Sequence, residues 1–382
     1  MPSAIIHVYG LLKKVFAPFP TFGMIDLGYC GLDKNIASEI VYTCNDIFIG
    51  NLNDEFPLSI YQTLSGIHTD FNVNEVISNR AIQKYLVVQL EVKYLGVHPI
   101  DHVNLNQNSA LSFIIVMHMS TAHQLNTYLY PRLEYLQKVL RQKSQDFSSM
   151  CRFSGLIPIE ANELFFGQHI NQISSIVNVL KACEKRLYSL TIDETVKGRQ
   201  ILTGYSFGVL VALCLARFSK RQFIYEPNKF YELNTYNIMT ELSAVFNTLA
   251  INLMKIVNDI LWICSKIRSI IGLSEIQSSL LSSSYIRSSN LPQYEAMTMV
   301  AAQVMNNHLG VTMGMSKENF QFTICHPLII KNIMQFIQIL ADICQSFIQF
   351  FNILINNVSS YVRERQIILN LTEELKQYPP RQ

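Results

Sequence analysis

The sequence predicts a mainly α-helical protein, a long helical bundle with a small N-terminal domain. Three observations carry this. Leu242, Val245, Phe246, Leu249, Leu253, Ile256 and Ile260 recur at steps of mostly three and four, which makes one helix face apolar over about five turns. The periodic run 231–267 is far longer than an average globular helix, as are 293–310 together with 326–356. Long helices without heptad regularity pack as a bundle.

In chain order, the first hundred residues mix short helical patterns with loops carrying Pro, Gly and Asn, and read as a small N-terminal unit. From about Leu111 the segments lengthen and keep apolar residues three and four apart. Helices are expected over 231–267, 293–310 and 326–356. The stretch "SSSYIRSSNLP" (282–292), which holds a single charge, reads as the loop before the second of these. No repeat of 20 to 50 residues and no low-complexity tract is present, and only the tail "EELKQYPPRQ" reads as frayed.

Thirty Lys and Arg against 28 Asp and Glu leave a net charge of +2, and no basic run is interleaved with aromatics. This argues against a nucleic-acid footprint. Charged residues make up 15% of the chain and apolar ones 49%, which fits either surfaces buried in an oligomer or simply a large core. At 382 residues the chain exceeds one ordinary core, so two or three domains, or one long helical body with appendages, are expected. The eight cysteines form no CxxC pair, so neither a disulfide framework nor a zinc ribbon is indicated, and a reducing compartment follows. "MPSAIIHVYGLLKKVFAPFP" lacks the pattern of a signal or transit peptide. The most apolar stretch, "LIIKNIMQFIQILADICQSFIQFFNILI", is interrupted by Lys331 and Asp342, each costly at a bilayer centre. It reads as a core helix, and no membrane partner is expected.

Motifs that would carry chemistry by themselves are few. In "HPIDH", His98 and His102 stand four apart, but Pro99 disfavours the helix that would aim both imidazoles at one metal. His118 and His123 are five apart, which suits neither a helix face nor a strand face, and they read as ordinary helix residues. "SGIHTDFN" is no Gly-rich phosphate loop, and "GLIPIE" holds no nucleophile beside a base. No metal site and no cofactor is expected.

Three stretches together resemble the class II fumarases, the fumarate hydratases of the fumarase and aspartase superfamily: "GNLNDEFPLSIYQTLSGIHTDFNVNEVISNRAI" (50–82), "PNKFYELNTYNIMTELSAVFNTLAINLMKIVNDI" (227–260) and "QYEAMTMVAAQVMNNHLGVTMGMSKENFQFTICHPLIIKNI" (293–333). The likeness runs in order from about residue 1 to about 355. It implies an N-terminal lyase domain over 1–106, truncated at its start, and a central helical bundle over 107–359. It also implies a remnant of a small C-terminal domain over 360–382, the rest of which is missing. It further implies a homotetramer whose long helices pool into one bundle, with active sites assembled from three subunits. The family reaction is the reversible hydration of fumarate to L-malate, a step of the tricarboxylic acid cycle that needs no cofactor. A mitochondrial or cytoplasmic location follows from the same resemblance.

Removing a proton beside a carboxylate needs a general base, donors that stabilise the dianion, and an acid for the departing hydroxyl. The family loop GSSxMPGKxNP supplies a serine base and a gripping lysine and asparagine. Here the span is one residue shorter: Ser283 matches the catalytic serine (Ser282 if the gap lies elsewhere), Asn290 the asparagine and Glu295 the downstream glutamate, while Ser288 stands at the lysine position. The Met-Pro-Gly turn has become Tyr285, Ile286 and Arg287. The family's GSGTQTNMN appears as "LSGIHTDFN", keeping Ser65, Gly66 and Thr69 but placing Ile67 and His68 where a threonine and a glutamine belong. SSND appears as "NSAL", keeping Ser109 and losing an asparagine to Ala110. GRTHxxDA appears as "SGLIPIEA", with Leu156 and Ile157 in place of the Thr-His pair. Isoleucine can neither donate nor accept a proton, so the resemblance implies a degenerate site without useful hydration.

The family's second dicarboxylate site lies on HPNDHVN, and "HPIDHVN" keeps His98 and Asp101 with Ile100 between them. The long helices, by contrast, keep their apolar faces. Leu242, Leu249, Leu253, Met297, Val300 and Val304 would expose a large patch in a monomer, so association should outlast catalysis. A homotetramer, a mixed tetramer with an intact fumarase, and an unstable relic are the outcomes the pattern allows.

Overall fold

A computed structural model of the chain describes residues 1–17, 32–88, 96–105, 107–154, 166–192, 207–228, 237–270, 284–316 and 324–348. Among these the expected helical class holds. The helices are α1 (Ser3–Phe16), α2 (Lys34–Ile49), α3 (Ile67–Val88), α4 (Ser109–Gln124), α5 (Tyr130–Ser154), α6 (Gln168–Leu187), α7 (Phe207–Ser219), α8 (Asn237–Ile270), α9 (Ser284–Met315) and α10 (His326–Ile348). The described strands are two residues long each: β1 (Ser189–Leu190) pairs in parallel with β2 (Ile224–Tyr225), Ser189 opposite Ile224.

The chain divides into two compact units, each discontinuous in sequence. One comprises 1–125, 181–243 and 307–335, the other 126–180, 244–306 and 336–382. In the first, α1 packs on α2, and α3 and α4 complete the cluster. α2 starts where the Asp33 carboxylate accepts the N–H groups of Asn35 (2.8 Å) and Ile36 (3.4 Å), and it ends at Gly50, whose φ of +94° closes a left-handed cap. Gly10 lets α1 and α2 approach: a Cβ there would lie 2.7 Å from the Cys44 carbonyl and 2.8 Å from the Phe48 amide nitrogen. Tyr9, Leu12, Ile40, Ile77 and Phe113 form its buried interior. In the second unit, Leu133, Ile173, Phe246, Phe336 and Phe347 are buried, with the Phe246 and Phe336 rings 5.3 Å apart.

Three expectations change. The helix expected over 231–267 spans Asn237–Ile270, residues 231–236 lying outside the described ones. The helix expected from 293 begins at Ser284, so most of the anticipated loop is helical backbone. That stretch has no glycine to supply a left-handed residue, and its one proline, Pro292, deletes a single backbone donor without offering another turn. Finally, the residues expected to form an exposed patch are interior. Leu242, Leu249, Leu253, Met297 and Val304 are at most 1% exposed within this single chain, and Val300 is half-buried. Periodicity identifies an apolar face but not what covers it. Among the described residues, the large apolar side chains left outside on α8 and α9 are Ile251, Met299, Met305, Leu309 and Met313.

α10 is long and apolar enough to cross a membrane by length and composition, yet 67% of its apolar window is buried. Packing against other protein explains its hydropathy, as expected for a core helix.

Candidate functional site

The polar half-site of the first unit begins at a strained turn. Ser65 has φ +55° and ψ +22°, a left-handed conformation costing a non-glycine residue about 1–2 kcal/mol, and Gly66 follows at φ +93°. Two aromatic side chains hold it there. The Phe113 ring fills the space a Cβ on Gly66 would need, with ring carbons 2.5 and 2.6 Å from that position. Phe113 in turn lies between Tyr9 and His326, whose ring centroids are each 6.3 Å from its own. His326, at the start of α10, hydrogen-bonds the Ser65 backbone. Burial pushes the His326 imidazole down to about 4; the bond to Ser65 opposes that shift and neighbouring His118 adds to it. A neutral ring therefore holds the turn at physiological pH.

From Gly66 the chain enters α3. Thr69 is buried, its hydroxyl donating to the Gln62 side-chain oxygen at 3.1 Å, while His68 Nε2 bonds Thr63 Oγ1 at 3.0 Å. Ser109 opens α4, where Asn108 caps the helix by accepting from the Ala110 (3.0 Å) and Leu111 (3.3 Å) amides. Ser109 Oγ accepts from Asn104 Nδ2 at 3.2 Å. These two helix starts are connected through the interior. Lys13 Nζ donates to Asn104 Oδ1 at 2.9 Å and stands 2.8 Å from Asp70 Oδ1, with both charged side chains 0% exposed. Ser65, Thr69 and Ser109 thus come together in one unit. Ile67 and Ala110 occupy the neighbouring positions where the family pattern has polar side chains.

His98 and Asp101 sit on a separate exposed turn. Pro99–Val103 forms one π-helical turn with proline at its first position, and His98 Nδ1 accepts from the Ile100 and Asp101 amides. His102 Nδ1 accepts from the His98 amide at 2.8 Å. The two rings cap their own turn and do not converge on a metal. Among the described residues, no group of three or more His, Cys, Asp or Glu could hold a metal ion.

The remaining candidates belong to the second unit or lie outside the described residues. Glu295 is exposed on α9, and Asn290 and Ser288 fall on the same helix, one turn or more before it. Ser283 and Ile157 lie outside the described residues. Sequence reading missed Lys13, Asp70, Phe113 and His326. One signal was available: the family pattern has an amide at the position of Asp70, so a carboxylate there asks for a buried cation.

A long-helix architecture with a Ser-Gly turn at one helix start and a serine at the next agrees with the resemblance to lyases of the fumarase and aspartase superfamily. The lyase family model matches residues 22–306. The chain is 38% identical over 357 residues to mitochondrial fumarate hydratase of Macaca fascicularis, covering 91% of this chain and 67% of that relative. To class II fumarate hydratase of Thermosynechococcus vestitus it is 36% identical over 352 residues, covering 91% and 74%. The solved class II fumarase of Schistosoma mansoni superposes with a TM-score of 0.72 at 26% identity, over 91% of this chain and 75% of that one. A fumarate lyase/delta-crystallin structure from Brucella melitensis shares the fold at the same TM-score and 20% identity. The chain belongs to the class II fumarase family.

Proposed function

We propose that this chain is a non-hydrating member of the family, a pseudoenzyme that keeps a partial dicarboxylate-facing rim and the helical body. The observation that carries this is at α9. Where the family pattern places a Gly- and Pro-containing loop with a gripping lysine, this chain has Ser288 within continuous helix from Ser284. A loop that must fold over substrate cannot do so while its backbone amides are spent in a helical ladder. Ile157 at the imidazole position points the same way. A missing acid-base group costs about 10²–10⁴ in rate and a missing charge-stabilising donor about 10²–10³. Such losses need not add, but either alone would reduce turnover severely. Ser65, Thr69, Ser109 and Asn290 remain as the groups to meet fumarate or malate, and His98 and Asp101 as a remnant outer site.

The test is purified protein, free of host fumarase, supplied with L-malate while fumarate absorbance is followed. No rate above a buffer blank is expected. Restoring His at Ile157 and Lys at Ser288 should not fully repair it while Ile67 and Ala110 remain. Measurable turnover by the unmodified chain overturns the proposal.

A second reading, association with itself or with an intact fumarase in a tetramer, is favoured by exposed Ile251, Met299, Met305, Leu309 and Met313 on α8 and α9. Co-expression with a tagged intact fumarase should recover this chain in the pull-down and lower activity per mole. A soluble monomer that recovers no partner counts against it. A mitochondrial or cytoplasmic location suits either reading.

A further inference from the structure

Lys13 holds a position no family role accounts for. A buried ammonium is tolerated only where its charge and its three N–H groups are matched. Lys13 has its charge matched by Asp70, whose Oδ1 lies 2.8 Å from Nζ, and it donates to Asn104 Oδ1 at 2.9 Å and Gln107 Oε1 at 2.8 Å. These acceptors come from two places distant from α1 in sequence, the first turn of α3 and the turn ahead of α4. Each acceptor is itself tied to a neighbour. Asp70 Oδ2 accepts from Asn74 Nδ2 at 3.1 Å, Gln107 Nε2 donates to the Val103 carbonyl at 3.0 Å, and Asn104 Nδ2 donates to Ser109 Oγ at 3.2 Å. One path, an ion pair followed by two hydrogen bonds, therefore runs from the residue beside Thr69, through Lys13, to Ser109.

We infer that Lys13 and Asp70 are positioning residues, a buried charge pair that locks the Ser65–Thr69 turn and Ser109 into one fixed register. The inference deepens the reading of those hydroxyls as the ligand-facing rim and rests on it for its functional meaning. The carboxylate at position 70 makes the lysine obligatory. Without Lys13, Asp70 would be a buried anion held by Asn74 alone; without both charges, Met and Asn would leave a neutral contact. Burial lowers the Lys13 pKa and the Asp70 charge opposes that fall, as expected for a pair sustained by mutual attraction.

The experiment is native-state hydrogen exchange on the full chain, comparing wild type, Lys13→Met, Asp70→Asn and the double variant. In Lys13→Met, exchange should rise about 100-fold in both 62–72 and 104–112, the factor expected when a buried pair loses one partner. Segments in α6 should stay unchanged. Adding Asp70→Asn should bring both segments back to within about 10-fold of wild type, because the orphaned charge is gone. A rise in only one segment, a uniform rise across the chain, or no recovery in the double variant overturns the inference. Should Lys13→Met aggregate, the double variant must still be soluble with both segments matched to each other; an insoluble double variant also overturns it. A parallel arm adds L-malate: protection of these segments in wild type that is lost in Lys13→Met supports the ligand-facing role. Absence of malate protection in wild type counts against the dicarboxylate reading alone, because the coupled exchange is read without ligand.

Discussion

Replacing Gly66 with alanine tests the turn that presents Ser65. The new Cβ would lie 2.5, 2.6 and 2.8 Å from three Phe113 ring carbons, where carbon–carbon contacts prefer about 3.5–4.0 Å. The ring would have to retreat by roughly 1 Å, and it is fully buried between Tyr9 and His326. Overpacking of this kind costs about 1–3 kcal/mol. The backbone adds a second cost, since φ of +93° is open to glycine and costs an L-residue about 1–2 kcal/mol. The expected destabilisation is therefore about 2–5 kcal/mol, read as a drop in urea midpoint at unchanged slope. A second variant separates the parts. In a Phe113→Leu background the steric share should largely vanish, giving a coupling of about 1–3 kcal/mol in a double-mutant cycle, while the backbone share persists. A Gly66→Ala protein within about 0.5 kcal/mol of wild type would show that the turn is not held by Phe113 and would refute the reasoning.

Other outcomes follow from the same residues. His326 is held near 4 against about 6.5 unfolded, so below pH 6.5 the unfolded chain binds the extra proton, and stability from this group is lost as pH falls from 6.5 to about 4. The total is about 3 kcal/mol, and urea midpoints for His326→Gln should show a correspondingly flatter dependence across that window. Asn108→Ala removes the one oxygen that accepts from two backbone amides at the start of α4 and should cost about 1 kcal/mol in equilibrium unfolding, whereas Asn108→Asp should cost little. Asp33→Ala should cost a similar amount at α2, and equal midpoints before and after the change would exclude a capping role there.

How much was legible beforehand varies by element. The helical class and the helices α8, α9 and α10 followed from apolar spacing, since burying one face of a helix imposes a period of 3.6 on the sequence. The turn at Ser65–Gly66 was legible as a motif but not as a conformation: its left-handed backbone depends on Phe113 and His326, which lie far along the chain. The His98–His102 pair shows the limit of a local rule: Pro99 was expected to disfavour a helix, yet it opens the helical turn Pro99–Val103, where a proline at the first position costs no backbone bond. The start of α9 was misread because serine-rich, weakly charged sequence resembles a loop, while no residue in it except Pro292 opposes a helix.

The sequence alone determined the family, the helical class and the identity of every replaced group, because each is carried by residue type at a position or by short-range periodicity. Tertiary structure alone decided which apolar faces were already spent. Leu249, Leu253 and Met297 are interior to one chain, while Met299, Leu309 and Met313 remain outside, and both sets carry similar side chains. It also decided that Lys13 and Asp70 meet. Their pairing is dictated by the mutual cost of burying two charges, and that cost appears only when α1 and α3 are brought side by side.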